Sequence, residues 1–208
     1  MILLVTTSLA LAIALARGGT FSGLASTRLR YGWLAILLFA LQALVIYFPQ
    51  PARGGVWSPQ TLLLVGSHLL VLLVVGLNWR LPGMPLIGIG LALNLLVMVA
   101  NGGYMPITPE ALQRAGLGHL ALGDASGSRL TATKDILLAR EETKLWVLSD
   151  IVVIPATLPL SSVFSVGDAV LAAGVWWFFQ STMVPRRAPA GPDGLAATGR
   201  GTTISENT

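Results

Sequence analysis

The chain has 208 residues, of which 54% are hydrophobic and only 11% are charged, and its formal net charge is +4. A soluble domain carries about 25% charged residues, so this deficit argues against a water-soluble protein and predicts an integral membrane protein in contact with the lipid bilayer. The basic residues flank apolar runs instead of forming a patch with aromatic side chains, which argues against nucleic acid as a partner. The chain has no cysteine, which excludes disulfides and thiolate metal sites.

Five apolar runs are long enough, or nearly so, to cross a bilayer, for which about 20 residues are needed. Open strands cannot span lipid because their backbone groups would stay unpaired, so the runs are predicted to be helices. The expected fold class is an all-α integral membrane protein, a bundle of five transmembrane helices with an outward-facing segment of short helices. The runs are Met1–Ala16, Tyr31–Phe48, Gln60–Leu77, Met84–Ala100 and Asp168–Val184.

The first run has an alternative interpretation as a cleaved signal peptide. Ala14-Leu15-Ala16 resembles a signal-peptidase site, and the run is short. A signal peptide needs a basic region before its apolar core, however, and no Lys or Arg precedes Arg17. A retained first helix is therefore favoured over a cleaved signal.

A sixth span is the alternative over Leu145–Ser162, which is apolar enough to enter a membrane. Asp150 lies within this stretch, and Pro155 and Pro159 remove backbone donors that a helix requires. We therefore favour an interfacial or partly re-entrant segment, which lipid tolerates only where the irregular backbone is buried in protein or hydrated.

The short loops predict the orientation of the chain. The loops on one side carry six arginines, whereas the opposite loop, Pro49–Pro59, carries only Arg53. Because basic loops face the cytoplasm, the N-terminus is predicted to lie outside a bacterial inner membrane and the C-terminus in the cytoplasm. Residues 1–184 then form one transmembrane domain, in which residues 101–167, here called the outer segment, face outward. Residues 185–208 are predicted to be a disordered cytoplasmic tail. The six arginines are Arg17, Arg28, Arg30, Arg80, Arg186 and Arg187.

Two short helices are expected inside the outer segment. Thr108-Pro109-Glu110 is a helix start signal, since Thr can cap and Pro suits the first turn, and Gly116 is a natural stop. The pattern from about Thr133 to Ser149 is amphipathic and predicts the second helix. Gly102-Gly103 is expected to let the chain turn sharply out of the fourth predicted span.

Polar side chains within the apolar runs are the first candidates for a ligand-binding site. Rises of about 1.5 Å per residue place Gln42, His68 and Asn94 roughly 9, 12 and 10 Å below the outer ends of three consecutive helices, in one layer. With Asn101 they could line a polar cavity, open to the outer face, for a lipid head group, a quinone or a small polar ligand. His68 could then carry a proton or ligate a haem or chlorophyll. The competing interpretation is that these polar groups and Gly90 hold the helices together.

Three aspartates, Asp124, Asp150 and Asp168, recur along the outer segment and at its end. Such carboxylates could serve as metal or acid–base groups, so they are the candidate catalytic residues of an enzymatic interpretation. Local roles compete with this, because Asp168 can cap the last helix and Asp124 after Gly123 suits a turn. No ligand spacing indicates a metal site, and the sequence identifies no cofactor.

The order of motifs resembles a family of small bacterial membrane proteins catalogued as domain of unknown function 5317. The resemblance covers roughly residues 1–184. It implies a polytopic bacterial membrane protein and carries no established activity. The motifs are Asn101-Gly102-Gly103-Tyr104-Met105-Pro106, then Leu148, Asp150, Ile151 and Pro155, and Ser165-Val166-Gly167-Asp168 before the final helix.

The sequence favours a non-catalytic role, as an accessory or assembly subunit of other membrane proteins or as a binder of a lipid-like ligand. The alternative is a membrane enzyme that acts on a lipid or isoprenoid at the outer surface through the three aspartates. A transporter is a weaker possibility, because the apolar runs hold no interior charge and no inverted repeat is visible.

Overall fold

A computed structural model of the chain describes residues 2–47, 58–121, 126–130 and 133–185. Over these residues the protein is mostly helical. Asp124 and the predicted tail beyond residue 185 lie outside the described residues. The α-helices are α1 (Ile2–Ala16), α2 (Phe21–Ser26), α3 (Gly32–Tyr47), α4 (Pro59–Leu77), α5 (Met84–Ala100), α6 (Pro109–Arg114) and α7 (Val166–Met183). The strands are β1 (Met105–Ile107), β2 (Asp135–Leu137), β3 (Val152–Ile154) and β4 (Ser162–Phe164).

Each of the five apolar runs forms a helix within two residues of its predicted bounds. The helices pack side by side in the order α1, α7, α5, α4, α3, so the last helix lies between the first and α5. Leu38, Val71 and Leu91 form a core cluster that joins α3, α4 and α5. The short helix α2, which the apolar pattern does not predict, is capped by the Thr20 side chain and packs against α7.

Among the described helices, α4 alone is both long enough and apolar enough to cross a membrane. The apolar helices α1, α3 and α5 have 15, 16 and 17 residues and fall below that length. Only 28% of this apolar stretch of α4 is buried within the protein. Its exposed face carries Leu62, Leu63, Leu69, Leu70 and Leu73.

Glycines bring the backbones of α5 and α7 into direct contact. A Cβ atom on Gly90 would lie 2.5 Å from the Gly167 carbonyl oxygen and 2.7 Å from the Leu171 nitrogen. Two turns further along α7, a Cβ on Gly174 would lie 2.6 Å from the Ile87 nitrogen and 2.8 Å from the Gly83 carbonyl oxygen. Small residues allow such approach between apolar helices, where dispersion and polar contacts must hold the pair together.

The chain leaves α5 through a turn that needs two glycines. Gly102 and Gly103 have φ of +83° and +92°, in the left-handed region that favours glycine, which confirms the predicted sharp turn. A Cβ on Gly103 would also overlap the Thr61 side chain of α4. The turn delivers Tyr104 and Met105, 4% and 0% exposed, into a core cluster with the ends of α4 and α5.

The first helix predicted in the outer segment is confirmed. The Thr108 side chain accepts a hydrogen bond from the Ala111 backbone nitrogen at 3.2 Å and caps α6. Gly116, with φ of +72°, follows the end of the helix as expected.

The helix predicted from Thr133 to Ser149 is wrong. The segment forms β2, which pairs in parallel with β1 in the register Met105 to Asp135 and Ile107 to Leu137. Two 3-10 turns follow, and Leu145 between them has φ of +55°, which a helix does not accommodate. The pairing of β2 with β1, about thirty positions earlier, satisfies the hydrogen bonds of the backbone. This long-range pairing overrides the local amphipathic pattern.

The sixth helical span considered over Leu145–Ser162 is also wrong. The stretch contains one 3-10 turn, Trp146–Leu148, and then β3, which pairs in antiparallel fashion with β4. Pro155 and Pro159 lie between the two strands, where no helical hydrogen bond is needed.

An asparagine at the end of α4 fastens the opposite end of the bundle. Asn78, 5% exposed, accepts from the Arg30 nitrogen at 2.8 Å and donates to the Arg30 carbonyl at 2.9 Å. Its side chain also donates to the Val74 carbonyl at 2.7 Å, one turn earlier in α4. The chain before α3 is thereby fixed to the end of α4.

We expect Gly90→Ala to destabilise the protein by about 1 to 3 kcal/mol, because the new methyl group meets α7 backbone that cannot move aside. Thermal unfolding in a mild detergent would measure the change. Gly66→Ala on α4 is the matched control, since a Cβ there meets nothing within 4 Å, and it should be neutral or slightly stabilising. Equal effects of the two substitutions would contradict the α5–α7 contact.

Candidate functional site

A buried polar network joins α5 to the start of α7. The Asn94 side chain donates to the Asp168 carboxylate at 2.7 Å and accepts from the Ser165 hydroxyl at 2.8 Å. Ser165 and Asp168 also form a capping box, in which the Asp168 nitrogen donates to the Ser165 hydroxyl at 3.0 Å. The predicted capping role of Asp168 is confirmed, and the same carboxylate is also the partner of Asn94.

Lys134 brings further charges of the outer segment to this network. Its ammonium nitrogen lies 4.0 Å from the Asp168 carboxylate, and its side chain is 24% exposed. Asp135 follows it as the first residue of β2. Asp150 lies on the other side of β1, where its nitrogen donates to the Pro106 carbonyl at 3.2 Å, and the residue is only 4% exposed. Lys134, Asp135, Asp150 and Asp168 are called the charge cluster below.

Burial and neighbouring charges change the pKa values of Lys134, Asp135 and Asp150. Burial raises the pKa of Asp135 to about 6, which Lys134 opposes and Asp168 reinforces. Burial also raises the pKa of Asp150 well above its usual range, with Asp135 reinforcing the rise. Burial lowers the pKa of Lys134, but the aspartates outweigh it and the net pKa is raised. Lys134 thus stays charged beside Asp135 and Asp150, whose carboxyls hold their protons to unusually high pH.

Several buried polar atoms near the cluster have no hydrogen-bond partner among the described residues. They are one carboxylate oxygen each of Asp135 and Asp150, and the Nε and Nη1 atoms of Arg129. The Arg129 guanidinium lies 5.4 Å from the centre of the Tyr104 ring, and its Nη2 atom donates to the Thr133 carbonyl at 3.3 Å. Buried polar groups are normally paired, so each of these atoms is open to a further partner.

Gln42 and His68, two of the three residues predicted to lie in one layer, meet between α3 and α4. The His68 Nδ1 atom lies 2.8 Å from the Leu64 carbonyl and 3.3 Å from the Gln42 side-chain amide. A carbonyl cannot donate, so Nδ1 carries the proton and Nε2 is left as the accepting nitrogen.

Asn101 lies apart from the other three polar candidates. Its side chain donates to the Val97 carbonyl at 2.8 Å and to the Lys144 carbonyl at 2.9 Å, and it accepts from the Lys144 nitrogen at 2.9 Å. Both amide hydrogens are therefore used to hold the outer segment to the end of α5. Asn78 makes the same set of contacts at the end of α4.

Among the four predicted polar residues and three predicted aspartates, the structure brings Asn94 to Asp168 and Gln42 to His68. The sequence places Lys134 and Asp135 only in the amphipathic helix predicted from about Thr133 to Ser149. No sequence pattern assigns Arg129 to a site. Their positions depend on the parallel pairing of β1 with β2, for which the sequence has no local signal. No group of three or more His, Asp and Glu side chains in the described part of the chain is arranged to hold a metal ion.

We expect the free energy of unfolding to be higher at about pH 5 than at about pH 8. The folded protein binds protons at Asp135 and Asp150 more tightly than the unfolded chain, so stability falls as the pH rises from about 4 through 6. Asp135→Asn should flatten this dependence, with a change of order 1 kcal/mol. Chemical denaturation across this pH range would measure it.

Glu110→Gln is the control for this experiment, since it removes an exposed carboxylate from the first turn of α6. It should keep the pH dependence of the wild-type protein. A wild-type stability that rises between pH 5 and pH 8 would contradict the protonated cluster.

The comparisons with known proteins place the chain in one family. The model of the family of unknown function DUF5317 matches residues 26–180, well over half of the chain. No curated protein and no solved structure matches the chain. The matched residues include the turn after α5, the charge cluster and most of α7, and the chain therefore belongs to the family of unknown function DUF5317.

Proposed function

We propose that the protein is a multi-pass protein of the bacterial inner membrane in which α1, α3, α4, α5 and α7 are the five spans. Exposed apolar side chains along these helices support this, because lipid is the solvent that tolerates them. Among them are Leu4, Ile36, Leu37, Leu63, Leu73, Ile89, Leu96 and Trp177. The proposed orientation has the N-terminus and the outer segment outside and the C-terminus in the cytoplasm.

The absence of cysteine makes this topology directly testable. Single-cysteine variants at Arg114 in α6 and at Arg28 before α3 probe opposite ends of the bundle, and both residues are exposed. In intact inner-membrane vesicles of known sidedness, a membrane-impermeant maleimide should label the Arg114→Cys variant only from the periplasmic face. It should label Arg28→Cys only from the cytoplasmic face, and the reverse pattern would invert the proposed orientation.

We propose further that the protein is a non-catalytic binder of a lipid-like ligand, whose polar head reaches the charge cluster. The observation that carries this is Asp150, which is 4% exposed and has one carboxylate oxygen without a partner. A buried unpaired oxygen of this kind costs about 1 to 3 kcal/mol, and a ligand that donates a hydrogen bond would recover it.

The open atoms define the chemistry of the proposed head group. Asp135 and Asp150 offer oxygens that accept hydrogen bonds, so hydroxyl or ammonium groups suit them. The partly exposed Lys134 side chain marks where the cluster reaches the surface. Gln42 and His68, with Nε2 able to accept, lie below in the proposed outer leaflet and extend the polar layer toward the ligand's stem.

The second candidate is an enzyme that acts on a lipid or isoprenoid at the same place. The observation that favours it is the raised pKa of Asp135, to about 6, beside a charged lysine, since a carboxyl that titrates near neutral pH can transfer protons. In that case Asp150 and Asp168 would serve as acid–base groups. A role as an accessory or assembly subunit remains a third outcome of the test below.

Purification in a mild detergent, followed by mass spectrometry of bound lipids and proteins, would test the proposal. We expect a stoichiometric lipid-like molecule with hydroxyl or amino groups. Asp150→Asn keeps the side-chain shape but replaces one carboxyl oxygen by an amide donor. It should reduce the bound amount about tenfold, as expected for a lost hydrogen bond of roughly 1.5 kcal/mol.

Glu110→Gln is the matched control and should retain the ligand. A stoichiometric protein partner without a lipid would contradict ligand binding and favour the accessory subunit. A lipid that is chemically altered by the wild-type protein but not by Asp150→Asn would favour the enzyme.

A further inference from the structure

The end of the bundle opposite the charge cluster is basic, and none of its described residues is acidic. Arg28, Arg30 and Arg80 are exposed there, in the loops before α3 and after α4. The first acidic residue of the chain is Glu110, which lies in the outer segment at the other end. Within the described residues the one ion pair is that of Lys134 with Asp168, so these three arginines have no carboxylate partner.

A cleft of about 500 Å³ lies at this basic end and is lined by Arg30, Tyr31 and Leu77. Its wall is held by Asn78, which hydrogen-bonds both backbone groups of Arg30. Tyr31 has φ of +57°, a left-handed conformation that is rare for a bulky residue. The fold therefore holds a strained turn in place and presents an arginine and an aromatic ring side by side.

We propose that this cleft binds the phosphate of an anionic phospholipid, such as phosphatidylglycerol or cardiolipin, with Arg30 as the principal contact. The charge is complementary, because these arginines form no ion pair with any described carboxylate. Basic pockets beside transmembrane helices on the cytoplasmic face suit such head groups. The inference rests on the proposed membrane embedding and concerns a different site from the one at Asp150.

Exposed aromatic residues around the cleft favour a lipid over a soluble anion. Tyr31, Trp33 and Trp79 are 55%, 67% and 62% exposed. Aromatic rings of this kind are enriched at the level of lipid head groups. The Arg80 guanidinium lies 5.7 Å from the centre of the Trp79 ring. A positive charge therefore lies next to an aromatic ring of the kind found at the level of lipid head groups. Leu77, 43% exposed, gives the cleft an apolar side for the start of an acyl chain.

Native mass spectrometry of the full chain, titrated with phosphatidylglycerol and separately with phosphatidylethanolamine, would test the site. We expect preference for phosphatidylglycerol. Because each arginine near an anionic lipid contributes ~1 kcal/mol, Arg30→Gln should weaken this binding about fivefold. Arg114→Gln removes the same charge from the exposed face of α6 and should leave the binding unchanged.

A second variant distinguishes binding in the cleft from a general attraction of anionic lipid to positive charge. Tyr31→Gly keeps every charge and relieves the strain of the left-handed turn, which glycine adopts readily. Because the Tyr31 side chain is exposed, its removal should not prevent folding. We expect it to weaken phosphatidylglycerol binding measurably. Unchanged binding in both Arg30→Gln and Tyr31→Gly would overturn the proposal, and so would displacement of the lipid by millimolar inorganic phosphate.

Asp150→Asn distinguishes a failed prediction at the Arg30 cleft from a failed prediction at the charge cluster. It alters the opposite end of the bundle and should bind phosphatidylglycerol as the wild-type protein does. Loss of phosphatidylglycerol binding in this variant, with an unchanged unfolding temperature, would show that the lipid binds at the charge cluster and would contradict the assignment to Arg30.

Discussion

The direct contact between the backbones of α5 and α7 is the constraint on which the rest of the structure depends. It requires hydrogen in place of a side chain at Gly90 and Gly174, because a Cβ would meet backbone atoms of the facing helix. This approach brings Asn94 within hydrogen-bonding distance of Ser165 and Asp168. The start of α7 is thus fixed against α5, and the charge cluster gathers around a carboxylate that is already anchored.

The two ends of the bundle hold a distant segment of the chain by the same kind of asparagine contact, but they differ in charge. At each end an asparagine that ends a helix, Asn78 or Asn101, pairs its side-chain amide with the backbone of a distant segment. One end then carries arginines that form no ion pair among the described residues, whereas the other gathers three aspartates around Lys134. An anionic partner suits the first end, and a partner that donates hydrogen bonds suits the second.

The predictable part of the candidate site was the part that lies on helices. Gln42, His68 and Asn94 could be placed in one layer because helical rise converts residue number into depth. Asp168 could be assigned as a cap from its position before an apolar run. Lys134 and Asp135 could not be placed, because an amphipathic pattern of charged and apolar residues fits a short helix as well as a buried parallel strand.

The sequence by itself determined the five apolar helices, the capped helix from Pro109 and the turn at Gly102-Gly103, since each follows from local hydropathy, capping or backbone freedom. Tertiary structure alone decided that β1 pairs with β2, that residues after Leu145 form a hairpin, and that the aspartates meet at Lys134. Those features depend on hydrogen bonds and charges between residues far apart in the chain, whose contact no local pattern records.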